Sequence, residues 1–189
     1  MAVPERPPAS RKNSAGDSAA MSDDIGFQSF DTPLDAPIEI HADRHGISAI
    51  FFNLDRRTRS PDTPNALTRA AARQLREYFD GKRKAFELPL ATLTKDSPFT
   101  EYRRRVWGTL LDIPYGQTRT YTDIARQAGG SPRSVGTANG RNPLCVVVPC
   151  HRVVGKNGLG GYGGPLIREK GEQLLEIKRR LLEHERRYA

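Results

Sequence analysis

The stretch TYTDIARQAGGSPRSVGTANG, residues 120–140, decides how the C-terminal half of this chain is read. Thr120 and Asp123 stand three apart, the spacing at which a cap hydroxyl and an acidic side chain each accept from the other's backbone N–H. Ile124, Ala125 and Ala128 then supply an apolar face, and Gly129-Gly130 ends the helix because glycine tolerates the conformations a helix C-terminus demands. Ser131-Pro132 opens a second helix running to about Gly140, with proline pre-set for the first helical position. Two short helices around a glycine turn predict a helix-turn-helix, although the same pattern fits a plain pair of packing helices. The second helix is built from Ser134, Gly136, Thr137, Ala138 and Gly140, small residues that let a backbone come close to a partner. Arg133 sits in its first turn, where a cation opposes the helix dipole unless an anion is near.

Downstream, Leu144 to Pro149 reads as a buried strand that runs straight into Cys150-His151-Arg152. A thiol flanked by His and Arg has the composition of one whose anion is stabilised by positive charge, although a buried inert cysteine has the same local sequence. Zinc needs about four ligands, and Cys145, Cys150 and His151 supply three at an untypical spacing, so no metal is expected. A direct Cys–His dyad is disfavoured too, because neighbours in an extended segment point apart; His151 reaches Cys150 only through a turn or a water. Gly155, Gly158, Gly160, Gly161, Gly163 and Gly164 follow, with Tyr162 among them offering a flat face for a base.

Upstream, Ser97-Pro98 and the stripe Phe99, Val106, Trp107, Leu110 and Leu111 predict a helix ending at Ile113-Pro114-Tyr115-Gly116. Residues 35–95 read as a separate α/β unit: a hairpin from Ile38 to Phe52, a helix opened by Thr63-Pro64 and closed by Asp80-Gly81, and an extended exit around Phe86. Residues 1–34, rich in Pro, Ser and Ala, are expected to be a flexible tail. The expected organisation is therefore tail 1–34, α/β domain 35–95 and a mainly α domain 96–189.

Charge follows this division. Net charge is −2 over residues 1–34, +2 over 35–100 and +8 over 101–189, so the excess lies in the half that carries the helix-turn-helix. A basic half of this kind suits a polyanion. Two cysteines in 189 residues argue against a disulfide-stapled secreted fold, and the longest apolar runs are too short to span a bilayer. A soluble intracellular protein is expected, with no membrane partner.

Taken together, Tyr121, Arg133-Ser134-Val135-Gly136, Asn142-Pro143, the Pro149-Cys150-His151-Arg152-Val153 core, the Gly-Tyr-Gly loop and the Lys-x-x-Leu-Leu-x-x-Glu ending resemble the methylated-DNA–protein-cysteine methyltransferase family over residues 35–189. That resemblance implies an RNase H-like N-terminal unit and a winged-helix type of helix-turn-helix in the C-terminal domain. It implies direct reversal of O6-alkylguanine damage in double-stranded DNA, with O4-alkylthymine as a further substrate, by a monomer without cofactor or metal in the cytoplasm, nucleoid or nucleus. By the same resemblance Cys150 accepts the alkyl group irreversibly in a single turnover. His151 is its base through water, Glu185 orients His151, and Asn142 braces the cysteine turn. Tyr121, Arg133, Ser134, Gly136, Thr137 and Ala138 meet DNA in the minor groove, with Arg133 filling the space left by the flipped base. Tyr121, Val153, Tyr162 and Gly163 line the guanine pocket.

The chain departs from the family pattern in places. The turn between Gly129 and Arg133 is about two residues short, which leaves Arg126 as a second candidate finger, and an insertion over Pro165–Ile177 leaves Glu176 as a second candidate partner for His151. The alternative reading is a non-enzymatic alkylguanine-binding protein that recruits other repair factors; such relatives lack the acceptor cysteine, which here is Cys150.

Overall fold

Alternation of Ile38 and Ile40 with polar neighbours, and of Ile47 and Ile50 across a tight turn, sets one apolar face on a hairpin. The computed structural model describes residues 25–55, 61–163 and 167–189. In it, β2 (Ile38–Asp43) and β3 (Gly46–Phe52) pair antiparallel with Ile38 opposite Phe52 and Ile40 opposite Ile50. A third strand, β1 (Gly26–Phe30), pairs antiparallel with β2 to give the order β1-β2-β3. The expected tail therefore ends too late in the reading from sequence: Phe27 and Phe30 are buried, and Asp62 accepts from both the N–H and hydroxyl of Ser29. Five residues with a central Gln-Ser carry little pattern of their own, and their pairing with β2 is what orders them. The remainder of the expected tail, residues 1–24, lies outside the described residues.

Helix α1 (Ala66–Phe79) lays Ala71, Ala72, Leu75 and Tyr78 on this sheet, all fully buried. Its cap is Asn65, in a capping box with Thr68, and not Thr63, whose backbone instead pairs with Phe27. Thr63 is held extended by that bridge, so the helix starts where the chain is released. Helix α2 (Glu101–Leu111) likewise starts later than Ser97-Pro98 suggests, with Thr100 as cap.

In the C-terminal unit, α3 (Tyr121–Ala128) and α4 (Pro132–Asn139) form the helix-turn-helix, with capping boxes at Thr120/Asp123 and Ser131/Ser134 as the sequence requires. Trp107 of α2, fully buried, donates its indole N–H to Ala138 O at 2.9 Å and locks α2 to α4. A two-residue parallel pair, β4 (Arg119–Thr120) with β5 (Val153–Val154), flanks the motif. A long terminal helix, α5 (Ile167–Arg187), closes the fold over the cysteine region, so the expected Pro165–Ile177 insertion is, from Ile167, its opening turns. The chain is thus a small α/β unit followed by a mainly helical unit, the architecture expected above. Among the described residues no helix is long and apolar enough to cross a membrane.

Candidate active site

The expected strand Leu144–Pro149 is not a strand. Pro143 and Pro149 have no N–H to give a ladder, and the segment between them folds into a braced turn. Leu144 makes a single parallel bridge to Ile50, with Ile50 N–H donating to Pro143 O at 2.7 Å and Cys145 N–H to Ile50 O at 2.8 Å. Asn142 closes the turn: its Oδ1 accepts from Leu144 N–H at 3.0 Å, and its Nδ2 donates to Val148 O at 2.8 Å. Val146 is held at φ +72°, a left-handed conformation costly for a β-branched residue and tolerated because its surroundings over-determine it. Cys150–Arg152 then forms a single 3₁₀ turn, which frees Cys150 and His151 from the opposed directions that extended neighbours take.

His151 is fully buried, and its Nε2 lies 2.8 Å from Glu185 Oε1. The same carboxylate accepts a fork from Arg152, with Nε to Oε2 and Nη2 to Oε1 both at 2.9 Å, together with the Tyr78 hydroxyl at 2.9 Å and Gly116 N–H at 3.0 Å. Burial alone would push this carboxyl up, but hydrogen bonds from His151 and Arg152 and the Arg152 charge more than reverse it and hold Glu185 well below the usual carboxylate range. An ionised Glu185 only accepts, so His151 Nε2 must donate, and Nδ1 is left as the basic nitrogen. Nδ1 is buried and has no hydrogen-bond partner among the described residues. Burial, opposed by Glu185, lowers the imidazole's affinity for a second proton and keeps it neutral.

Geometry separates the two glutamates: Glu185 is buried on His151, whereas Glu176 is exposed and paired with Arg179 at 2.5 Å. Their difference is positional, since only every third or fourth residue of α5 faces inward.

Cys150 is buried and lines a cavity of about 510 Å³ with Asn139, Asn142, Cys145, Tyr162 and Gly163. Hydrogen bonding from the Cys145 thiol is the strongest influence on it; burial opposes, and Asn142, the Lys178 charge and Tyr162 assist, bringing the Cys150 thiol down to about 7. Lys178, fully buried on α5, donates to Val153 O at 2.7 Å, Leu159 O at 2.6 Å and Gly161 O at 3.0 Å, and burial lowers its ammonium to about 8. One lysine thus pins the glycine-rich loop and places positive charge near the thiol.

Tyr121 reaches across this loop to donate its hydroxyl to Gly161 O at 3.2 Å, and with Gly136, Asn139 and Tyr162 it lines a second cavity of about 240 Å³. The two cavities share Asn139, Gly140 and Tyr162 as a common wall. Gly160 is required here: it holds φ +68°, and a Cβ on it would come within 2.8 Å of Tyr121 Cε2. Val153, expected in the guanine pocket, is instead fully buried beside β4 and lines neither cavity.

On α4, Arg133 and Thr137 are exposed and Gly136 is half-buried against Tyr121. Ala138 faces the core under Trp107, away from the outer surface, because it follows Val135 by one helical turn. Ser134 is half-buried with its hydroxyl 2.7 Å from Tyr102 Oη, so it serves the helix-turn-helix from within. Arg126 pairs with Asp123 at 3.4 Å, whereas Arg133 has no ion pair among the described residues.

Two residues of this site, Tyr78 and Asn139, and the contacts made by Lys178 and Arg152 were not singled out from sequence. Tyr78 comes from the N-terminal unit, and no local pattern links it to Glu185, 107 residues away. Asn139 donates to Cys150 O at 3.2 Å, and Arg152 also donates to Ile113 O at 2.6 Å. The signal available was chemical: Lys178 and Asn139 are polar residues at positions where the helical period calls for an apolar one.

Comparison with known proteins identifies the family. Residues 26–92 match the ribonuclease-like domain, and residues 101–187 the DNA binding domain, of 6-O-methylguanine DNA methyltransferase. A methylated-DNA–protein-cysteine methyltransferase of Methanosarcina acetivorans is 40% identical over 144 residues, covering 72% of this chain and 88% of its own length. The constitutive enzyme of that name from Bacillus subtilis is 49% identical over 126 residues, covering 65% of this chain and 71% of its own. Among solved structures, Mycobacterium tuberculosis OGT in complex with DNA superposes with a TM-score of 0.66 at 37% identity, covering 86% of this chain and 94% of that one.

Proposed function

The chain belongs to the 6-O-methylguanine DNA methyltransferase family, and from that premise we propose that Cys150 is its alkyl acceptor, acting on O6-alkylguanine flipped from duplex DNA. The protein is a DNA-binding methylated-DNA–protein-cysteine methyltransferase that repairs alkylated DNA.

His151, with Nδ1 unprotonated and Nε2 donated to Glu185, draws the proton from the Cys150 thiol through a water. The thiolate attacks the alkyl carbon on guanine O6; the S–C bond forms as the C–O bond breaks, and the electron pair remains on the base, which is reprotonated as guanine. Tyr121 donates to the base and so stabilises that developing charge. The thioether is stable, so each molecule reacts once.

A lesion edge buried in the stack can be reached only by extruding the nucleotide, which costs a few kcal/mol. Exposed Arg133, at the start of α4, enters the vacated stack; the +8 charge of residues 101–189 neutralises phosphates; Gly136 and Thr137 let α4 approach the minor groove. The base then occupies the cavity lined by Tyr121 and Tyr162, and its alkyl group points into the adjoining one, where Cys150 waits. Helix-turn-helix, pocket and thiol all lie on one chain, which supports action as a monomer.

The observation that carries this reading is a buried His151 whose Nε2 is held by Glu185 at 2.8 Å and whose Nδ1 is left without a partner among the described residues, next in the chain to a buried Cys150 that lines a cavity. It is tested by mixing stoichiometric protein with a duplex carrying one radiolabelled O6-methylguanine and resolving the protein on a denaturing gel beside Cys150→Ser. Label on the wild type alone is expected. Tight lesion-selective binding without transfer would return the protein to the recognition-only class.

A further inference from the structure

The chain has two cysteines, and both line the same cavity of about 510 Å³. The mechanism above uses only Cys150. Cys145 stands at the other end of the braced turn: its N–H is fixed to Ile50 O at 2.8 Å, its own carbonyl accepts from Val147 N–H at 2.9 Å, and Cys150 N–H donates to Val148 O at 2.8 Å. The left-handed Val146 folds the segment back between them, and the Asn142 amide holds Val148 O across its mouth. Both thiols are free, Cys150 buried and Cys145 half-buried, and Tyr162 lines the same cavity with a buried hydroxyl that has no hydrogen-bond partner among the described residues.

We propose that Cys145 is a resolving thiol for Cys150, and that a hydroperoxide converts the pair to a reversible Cys145–Cys150 disulfide which switches alkyl transfer off. This rests on Cys150 being the reactive thiol. In the first step the Cys150 thiolate attacks one peroxide oxygen; the S–O bond forms, the O–O bond breaks, and the leaving oxygen departs as water after taking a proton from solvent. Cys150 sulfur is oxidised by two electrons and the peroxide reduced. In the second step Cys145 sulfur attacks the sulfenic sulfur; the S–S bond forms, the S–O bond breaks, and hydroxide leaves as water with the Cys145 proton. Two thiols and one hydrogen peroxide give one disulfide and two waters.

The thiol that makes a good alkyl acceptor is also the one most exposed to oxidants, because thiolate character governs both reactions. Without a neighbour, the sulfenic acid proceeds to sulfinic acid, which thiol reductants do not reverse. A resolving thiol captures the sulfenic state first and preserves a protein that can act only once.

Arg141 and Arg152 place both cysteines in one tryptic peptide, residues 142–152. The full-length protein is treated with hydrogen peroxide, capped with N-ethylmaleimide and mapped by mass spectrometry without reduction, and methyl transfer is measured before peroxide, after it, and after dithiothreitol. In the wild type the peptide is expected to lose two hydrogens and accept no maleimide, with transfer abolished and then regained. In Cys145→Ser, Cys150 is expected to appear as sulfinic acid, with about tenfold less of that variant's own starting activity recovered. A wild-type peptide carrying sulfinic acid, or equal recovery in the two proteins, would overturn the proposal. Absence of methyl transfer before peroxide would instead strike at Cys150 as alkyl acceptor, while the peptide map still reports the bridge.

Discussion

Glu185 Oε1 lies 2.8 Å from His151 Nε2, and Arg152 forks onto the same buried carboxylate. One charged group thus sets the tautomer of the base and balances a buried guanidinium. Glu185→Gln keeps the shape but leaves Arg152 unpaired, so about 3–5 kcal/mol of stability should be lost, with transfer slowed roughly 100-fold as the histidine loses its orienting anion. Thermal unfolding and single-turnover rates check both. The sign with pH also follows: Glu185 sits below its unfolded value, so its contribution is present above about pH 4.3 and lost as the pH falls through the depressed folded value. Urea midpoints between pH 7 and 3 should fall less steeply in the glutamine variant than in the wild type.

Tyr78 gives the N-terminal unit a hand in the site, since its hydroxyl donates to Glu185 Oε1 at 2.9 Å. Tyr78→Phe leaves one fewer donor on a carboxylate that retains His151, Arg152 and Gly116. Stability should drop by about 1–2 kcal/mol, and transfer should slow only severalfold. A loss matching that of Glu185→Gln would show that Tyr78 does more than hold the carboxylate.

The pH–rate profile should report the Cys150 thiol, rising through about 7 and levelling above it. Cys145→Ala removes the largest influence holding that value down. The midpoint should then move toward the ordinary thiol near 8.5, with transfer at pH 7 about tenfold slower and the high-pH plateau much less affected. An unmoved midpoint would mean that Asn142, Lys178 and Tyr162 suffice.

Arg133 is exposed at the start of α4 and touches neither cavity. If Arg133 serves base extrusion as proposed, Arg133→Ala should cost duplex repair at least about tenfold more than reaction with the free base O6-benzylguanine, which needs no extrusion. Parallel rates on the two substrates decide it; equal losses would place Arg133 in the pocket's function.

The helices, the two caps of the helix-turn-helix and the thiol were legible in the sequence because their signals are local. A capping box is three residues long, the helix-turn-helix about twenty, and Pro-Cys-His-Arg is contiguous. Where the reading failed, the deciding interaction was distant for the first strand and the first helix cap, and local but outweighed by an apolar pattern for the turn before the cysteine. Gly26–Phe30 is ordered by β2, Thr63 is drawn out of its cap by Phe27, and the Leu144–Pro149 segment bends because two prolines and Asn142 outweigh its apolar strand character.

The sequence by itself determined which groups the chain possesses: a basic C-terminal half, a cysteine beside a histidine, and several glutamates on one terminal helix. Only the tertiary structure decided which glutamate meets His151, that Tyr78 joins it, that Lys178 is buried on three carbonyls, and that Cys145 faces Cys150 across one cavity. The physical reason is that a pKa and a proton's direction depend on burial and on partners many residues away, and these exist only once the two units have closed on each other.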